Sequence, residues 1–156
     1  MFLTKFSKSP KQLQQALEQW ELATCKGSEC YNRQEFKQAI VYFENALIQA
    51  ELGLAKEYRQ GDFMQYYTLA SMNLADALIS NEKQFQSEKV LSDAHFNMLS
   101  LMMDKKNPNT FRREAKEQAE MLMSRLKKFL VNIGKNKVAE SLEEEFYRLK
   151  LNSNFC

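Results

Sequence analysis

Apolar residues recur every three or four positions along most of the chain, the spacing of one face of an α-helix. The first such stripe follows Ser9-Pro10, a capping hydroxyl before a first-turn proline, and should end near residues 31–33. A second stripe begins near Glu35 and could extend to Tyr58. The opening part of the chain therefore predicts two consecutive helices.

The same periodicity predicts four further helices. Asp62 can cap the third helix, and the polar run 80–83 should separate it from the fourth. Residues 104–110 form the clearest break, within which Asn107 stands as a cap before Pro108 at the start of the fifth helix. Gly134 should end that helix in the left-handed conformation.

A sixth helix should cover residues 136–151, and no segment has the alternation of a strand. Six helices joined by short turns predict an all-α fold of three antiparallel hairpins. We expect one domain over residues 1–156, with two hairpins in 10–104 and a basic, capping hairpin in 108–151. An ordinary helical bundle is the alternative architecture.

The segment from Gly27 to Leu47 carries a pattern of small and aromatic residues. Gly27 is followed one turn later by Tyr31, and the next helix carries the small and aromatic positions Phe36, Ala39, Phe43 and Ala46. This pattern resembles one tetratricopeptide repeat, in which small residues let two helices approach closely and aromatic residues fill the space around them.

A weaker second copy follows. Ala75 precedes Ser87 by twelve residues, as Gly27 precedes Ala39, and Leu91 and Ala94 occupy the next matching positions. The copies are 48 residues apart, whereas the family repeat has about 34. The extra residues amount to about four helical turns, so each helix of the pair would be longer by about two turns.

The resemblance implies a right-handed α–α superhelix with lengthened helices. It also implies a concave groove, lined by the first helix of each hairpin, that binds a peptide or helix of a partner protein. The predicted groove residues are Glu21, Thr24, Ser28, Tyr31 and Asn32 in the first copy, and Leu69, Met72, Asp76, Ile79 and Ser80 in the second.

Composition narrows the class of protein further. The 156 residues are 44% hydrophobic and 27% charged, and only four glycines and two prolines are present, which disfavours disorder, β-sandwiches and nucleotide-binding α/β folds. No apolar run could span a membrane, and no signal peptide is recognisable, so we expect no membrane partner. Three cysteines do not form a disulfide framework, and this favours a cytoplasmic location.

Catalytic and metal-binding patterns are missing from the sequence. His95 is the single histidine, and Cys25 and Cys30 are too far apart for a CxxC chelate. Consecutive carboxylates at 143–145 point in different directions on a helix. We expect no cofactor, no metal and no enzyme activity.

Basic residues are concentrated in one region. Residues 105–137 hold ten Lys/Arg against three Glu, whereas residues 1–104 have a net charge of −3. A basic patch on the fifth helix could contact nucleic acid or an acidic partner. Its candidate residues are Arg112, Arg113, Lys116, Arg125, Lys127 and Lys128.

These patterns rank three hypotheses. The first is a non-catalytic protein-binding module, acting as an adaptor, regulator or chaperone-like protein in a bacterial cytoplasm. The second is a small regulator that binds nucleic acid through the fifth helix, although its basic residues are not interleaved with aromatic residues in a way suited to base stacking. The third is an enzyme. The sequence leaves open a homodimer.

Overall fold

The computed structural model describes residues 10–55 and 62–153. These two ranges contain six α-helices and no strand, which confirms the all-helical prediction. The predicted cap at Ser9 and the extension of the second helix to Tyr58 lie outside the described residues. The helices are α1 (Pro10–Asn32), α2 (Phe36–Leu54), α3 (Asp62–Ser80), α4 (Gln84–Met103), α5 (Asn109–Asn132) and α6 (Asn136–Leu151).

The chain divides into two compact units, Met1–Glu82 and Lys83–Cys156. Unit one contains α1, α2 and α3, and unit two contains α4, α5 and α6. Within each unit, helices that are adjacent in the sequence pack on each other, which is consistent with a helical repeat. A single domain over the whole chain stays a prediction.

Unit one is held together by aromatic rings that pack onto small residues. A Cβ at Gly27 of α1 would lie 2.5 Å from Cε1 of Phe43 on α2, so the missing side chain makes room for that ring. Gly53 of α2 makes room in the same way for the ring of Phe63 on α3. The ring of Phe43 therefore fills the space beside the backbone of Gly27.

Unit two consists of antiparallel neighbours. The ring Nδ1 of His95 on α4 lies 3.1 Å from the carbonyl oxygen of Ala119 on α5. Phe146 of α6 meets the same imidazole edge-on, with ring centroids 5.1 Å apart. Lys150 of α6 pairs with Glu120 of α5 at 2.7 Å. His95 thus lies where all three helices of the unit meet.

Three turns share one backbone conformation. Gln34, Glu82 and Gly134 have φ values of 64°, 61° and 82°, the left-handed region. In each turn the amide of that residue donates to the carbonyl oxygen three positions earlier, at 2.9–3.0 Å. The left-handed cap predicted at Gly134 is confirmed, and the same conformation recurs at intervals of 48 and 52 residues in all three predicted hairpins.

The predicted cap at Asn107 is wrong. Its side-chain Nδ2 donates to the carbonyl oxygen of Leu101 at 3.0 Å, and Pro108 occupies the capping position of α5 without a side-chain hydrogen bond. A helix leaves its last carbonyls unpaired, and an amide at the start of the next segment can satisfy one of them. The side-chain amide of Asn107 therefore satisfies a carbonyl in the last turn of α4.

Candidate functional site

The two strips of predicted groove residues lie on neighbouring helices of unit one. Trp20 Nε1 on α1 donates to the carbonyl oxygen of Tyr66 on α3 at 3.2 Å. Further along both helices, the hydroxyls of Tyr31 and Ser80 share a hydrogen bond of 3.0 Å. Because the residue numbers rise together, α1 and α3 run parallel, with facing positions 46–49 residues apart. This interval agrees with the 48-residue offset in the sequence.

The ten predicted groove residues differ in exposure. Glu21, Ser28, Asn32, Leu69 and Ile79 are exposed, and Thr24, Tyr31, Met72, Asp76 and Ser80 are partly buried. Among the apolar members, Leu69 is 44% exposed and Ile79 is 38% exposed. Helix α3 therefore presents two large aliphatic side chains at the surface beside the polar residues of α1, an arrangement able to anchor an apolar side chain.

A small pocket opens between the three helices of unit one. Its volume is about 110 Å³, and its walls are Ser28, Tyr31 and Asn32 of α1, Phe43 of α2, and Asn73 and Asp76 of α3. Four of these six residues belong to the predicted groove. The structure therefore gathers Ser28, Tyr31, Asn32 and Asp76 around one opening, and the Tyr31–Ser80 hydrogen bond lies beside it.

Sequence reasoning missed two residues of this pocket. Phe43 was assigned to packing alone, yet its ring also lines the opening. Asn73 was not singled out, although it lies three residues before Asp76 and so shares its helix face. The i, i+3 spacing of Asn73 and the predicted groove residue Asp76 is the signal that could have identified Asn73.

The predicted basic patch on α5 is divided by the packing of unit two. Arg112 is only 7% exposed, and its Nε donates to the carbonyl oxygen of Met102 at 2.7 Å. Lys127 donates to the carboxylate of Glu143 on α6 at 2.9 Å. Lys116 and Arg125 are partly buried, whereas Arg113 and Lys128 are exposed. Two of the six predicted patch residues, Arg112 and Lys127, thus bind groups within the unit.

His95 is a structural residue of unit two. It is 1% exposed, and because a carbonyl oxygen can only accept, Nδ1 must donate its hydrogen to Ala119. Burial lowers the pKa of this imidazole below its ordinary value, and the hydrogen bond to Ala119 offsets part of that shift. The rings of Phe96 and Phe146 pack against the buried imidazole, with centroids 5.8 Å and 5.1 Å from it.

No metal site is apparent in residues 10–55 and 62–153, which contain no group of three His, Cys, Asp or Glu side chains able to hold an ion. Within the same ranges Cys25 is exposed and Cys30 is buried. None of the described helices is long and apolar enough to cross a membrane.

Comparison with known protein families gives a match over most of the chain. No curated protein and no solved structure matches the chain. Residues 18–155 match the model of a family described as "Protein of unknown function (DUF2753)", which covers all six helices in whole or in part. Because the match extends over most of the sequence, the chain belongs to this family.

Proposed function

We propose that the protein is a non-catalytic protein-interaction module that binds a helix or extended peptide of a partner along α1 and α3 of unit one. In this proposal it acts as an adaptor, regulator or chaperone-like protein in the cytoplasm. The observation that carries the proposal is the hydrogen bond between Tyr31 and Ser80, beside a pocket lined by four of the ten predicted groove residues. A surface with apolar anchors and a polar cleft suits peptide recognition.

The proposed architecture is a tetratricopeptide-like superhelix with lengthened helices. Two independent features support it. The parallel contacts between α1 and α3 have the offset of the sequence repeat, and the left-handed turns at Gln34, Glu82 and Gly134 recur with similar spacing. Repeats of this kind present the first helices of successive hairpins on a common surface. That surface is where the proposal places the partner.

Charge selects the kind of partner. The two strips contain Glu21 and Asp76 and no lysine or arginine. Leu69 and Ile79 add exposed aliphatic surface. An amphipathic helix with apolar residues along one face and basic residues beside it would complement both properties. The partner that we propose for this surface is therefore a basic amphipathic helix.

The test uses a displayed library of helix-forming peptides, selected on the full-length protein and measured by fluorescence anisotropy. Leu69→Ala and Ile79→Ala should each weaken the selected peptides by about 1–3 kcal/mol, because they remove apolar anchors. Both residues are exposed, so the fold should tolerate the changes. Val41→Ala on α2, which truncates an exposed aliphatic residue outside the strips, is the control.

Failure of the proposal has two forms. Selected peptides that bind both groove variants and the Val41→Ala control equally would place binding elsewhere. A library that yields no binder would argue against peptide recognition altogether. Tyr31→Ala is less suitable as a test, because Tyr31 also packs edge-on against Phe36 with ring centroids 5.3 Å apart.

Nucleic-acid binding by α5 remains the second candidate. Arg113 and Lys128 are exposed and could contact phosphates. The burial of Arg112 and the pairing of Lys127 with Glu143 leave fewer cations for a phosphate backbone than the sequence suggested. Any such contact should be weak and sensitive to salt.

A further inference from the structure

The charged residue that lines the pocket between α1, α2 and α3 is an acid. Asp76 is the only ionisable acid among its six lining residues, and none of the six is basic. The other polar walls are the hydroxyls of Ser28 and Tyr31 and the amides of Asn32 and Asn73. Carboxylate, amide and hydroxyl oxygens accept hydrogen bonds, and the carboxylate repels anions.

The size of the pocket limits what it can hold. About 10–15 Å³ suffices for one water, so a volume of about 110 Å³ admits a side-chain head group but not a helix. Phe43, which is 3% exposed, supplies an aromatic wall. Its ring packs against Gly27, where an added Cβ would lie 2.5 Å away, so the ring is held in place by the close contact of α1 and α2.

We propose that this pocket binds the guanidinium group of an arginine on the partner peptide. A guanidinium is planar and carries five N–H donors, which can reach acceptors on more than one wall at once. It also packs well against aromatic rings, as Phe43 would allow. A lysine ammonium could pair with Asp76 but has fewer donors for the amides of Asn32 and Asn73. This inference rests on the proposed function. It adds that an arginine of the partner fixes the position of the bound peptide along α1 and α3.

Asp76 gives the pocket its selectivity. Its carboxylate would form charge-assisted hydrogen bonds with the guanidinium, which are stronger than those between neutral groups. Leu69 and Ile79 on the same helix would contact apolar residues of the peptide. An arginine near apolar residues on one face of a helix is therefore the expected recognition pattern.

The experiment is a double-mutant cycle on peptides selected from the displayed helical library against the full-length protein. Each peptide is compared with a copy in which arginine is replaced by citrulline, which has a similar shape but no charge. With wild-type protein the replacement should weaken binding by about tenfold or more. With Asp76→Asn, which preserves the shape of the side chain, arginine and citrulline peptides should bind almost equally.

Asp62→Asn is the matched control, because it removes an exposed carboxylate of the same helix outside the pocket. That variant should retain the full preference for arginine. The inference is overturned if the peptides carry no shared arginine, or if the citrulline penalty persists in Asp76→Asn. In both cases peptides that still depend on Leu69 and Ile79 would leave the proposed function intact. Loss of all binding along α1 and α3 would reject both.

Discussion

At the scale of single residues, Gly27 determines how closely α1 and α2 pack. An alanine in a helix gains roughly 1 kcal/mol over glycine from backbone propensity. Here the added Cβ would lie 2.5 Å from the Phe43 ring, which is only 3% exposed, so packed neighbours oppose its displacement. Overpacking of this kind costs about 1–3 kcal/mol, so the steric term should exceed the propensity term.

We therefore predict that Gly27→Ala lowers the free energy of unfolding, measured by urea denaturation followed by circular dichroism. The control is Ser28→Ala, the next residue, which is exposed and should change stability by about 0.5 kcal/mol or less. A Gly27→Ala protein as stable as the control would mean that Phe43 does not occupy the space beside Gly27.

His95 gives a second residue-scale prediction, this one about pH. Burial lowers the pKa of the folded imidazole, whereas the unfolded imidazole titrates near its ordinary value of about 6.5. The unfolded chain therefore binds a proton first as the pH falls. The contribution of the neutral His95 to the free energy of unfolding is therefore fully present above about pH 6.5, and it is lost as the pH falls below that value.

Urea denaturation at about pH 7.5 and about pH 5.5 brackets this step. His95 is the chain's single histidine, so no other imidazole contributes. The protein should be less stable at the lower pH. His95→Gln should be less stable than wild type at the higher pH. Its free energy of unfolding should differ much less between the two pH values than that of the wild type. Equal pH dependence in both proteins would contradict a buried neutral imidazole.

At the scale of elements, the left-handed turns at Gln34, Glu82 and Gly134 place different residue types in the same backbone region. Gly134 has no Cβ penalty at φ 82°, but Gln34 adopts φ 64° with a full side chain. The left-handed conformation costs roughly 1–2 kcal/mol for such a residue. Replacing Gln34 with glycine removes this cost. Glycine also raises the conformational entropy of the unfolded chain, so the net gain in folding stability is smaller.

Opposite substitutions in the two turns should consequently have opposite effects. Gln34→Gly should raise the free energy of unfolding by about 0.5–1 kcal/mol, and Gly134→Ala should lower it by about 1 kcal/mol. A Cβ at Gly134 would meet no atom within 4 Å, so backbone strain alone is responsible. Urea denaturation measures both changes. If both substitutions stabilised the protein, or both destabilised it, the shared left-handed geometry of the two turns would be contradicted.

Helix positions were largely predictable from the sequence, because apolar spacing and Gly134 report directly on helix faces and ends. The turns at Gln34 and Glu82 were placed correctly, but their left-handed backbone was not anticipated, since glutamine and glutamate give no local signal for it. Asn107 was misassigned because the choice between capping α5 and satisfying Leu101 depends on how α4 ends.

At the scale of the whole molecule, the sequence predicts features of the candidate site that depend on spacing within one helix, but not those that depend on how several helices pack. The repeat offset predicts one strip of residues on α1 and a corresponding strip on α3. It could not reveal that Phe43 and Asn73 complete a pocket, because that depends on how three helices pack. Nor could charge counting reveal that Arg112 donates to Met102 within unit two. Composition predicted a basic region, and packing determined how much of it is exposed.

The central claim is that a partner helix binds along α1 and α3, and backbone amide chemical shifts test it most directly. A selected peptide is titrated into isotope-labelled full-length protein. We predict that the largest shifts follow the two strips and the pocket, centred on Ser28, Asn32, Asn73 and Asp76. Shifts centred instead on Arg113 and Lys128 of α5, with α1 and α3 unchanged, would contradict the account.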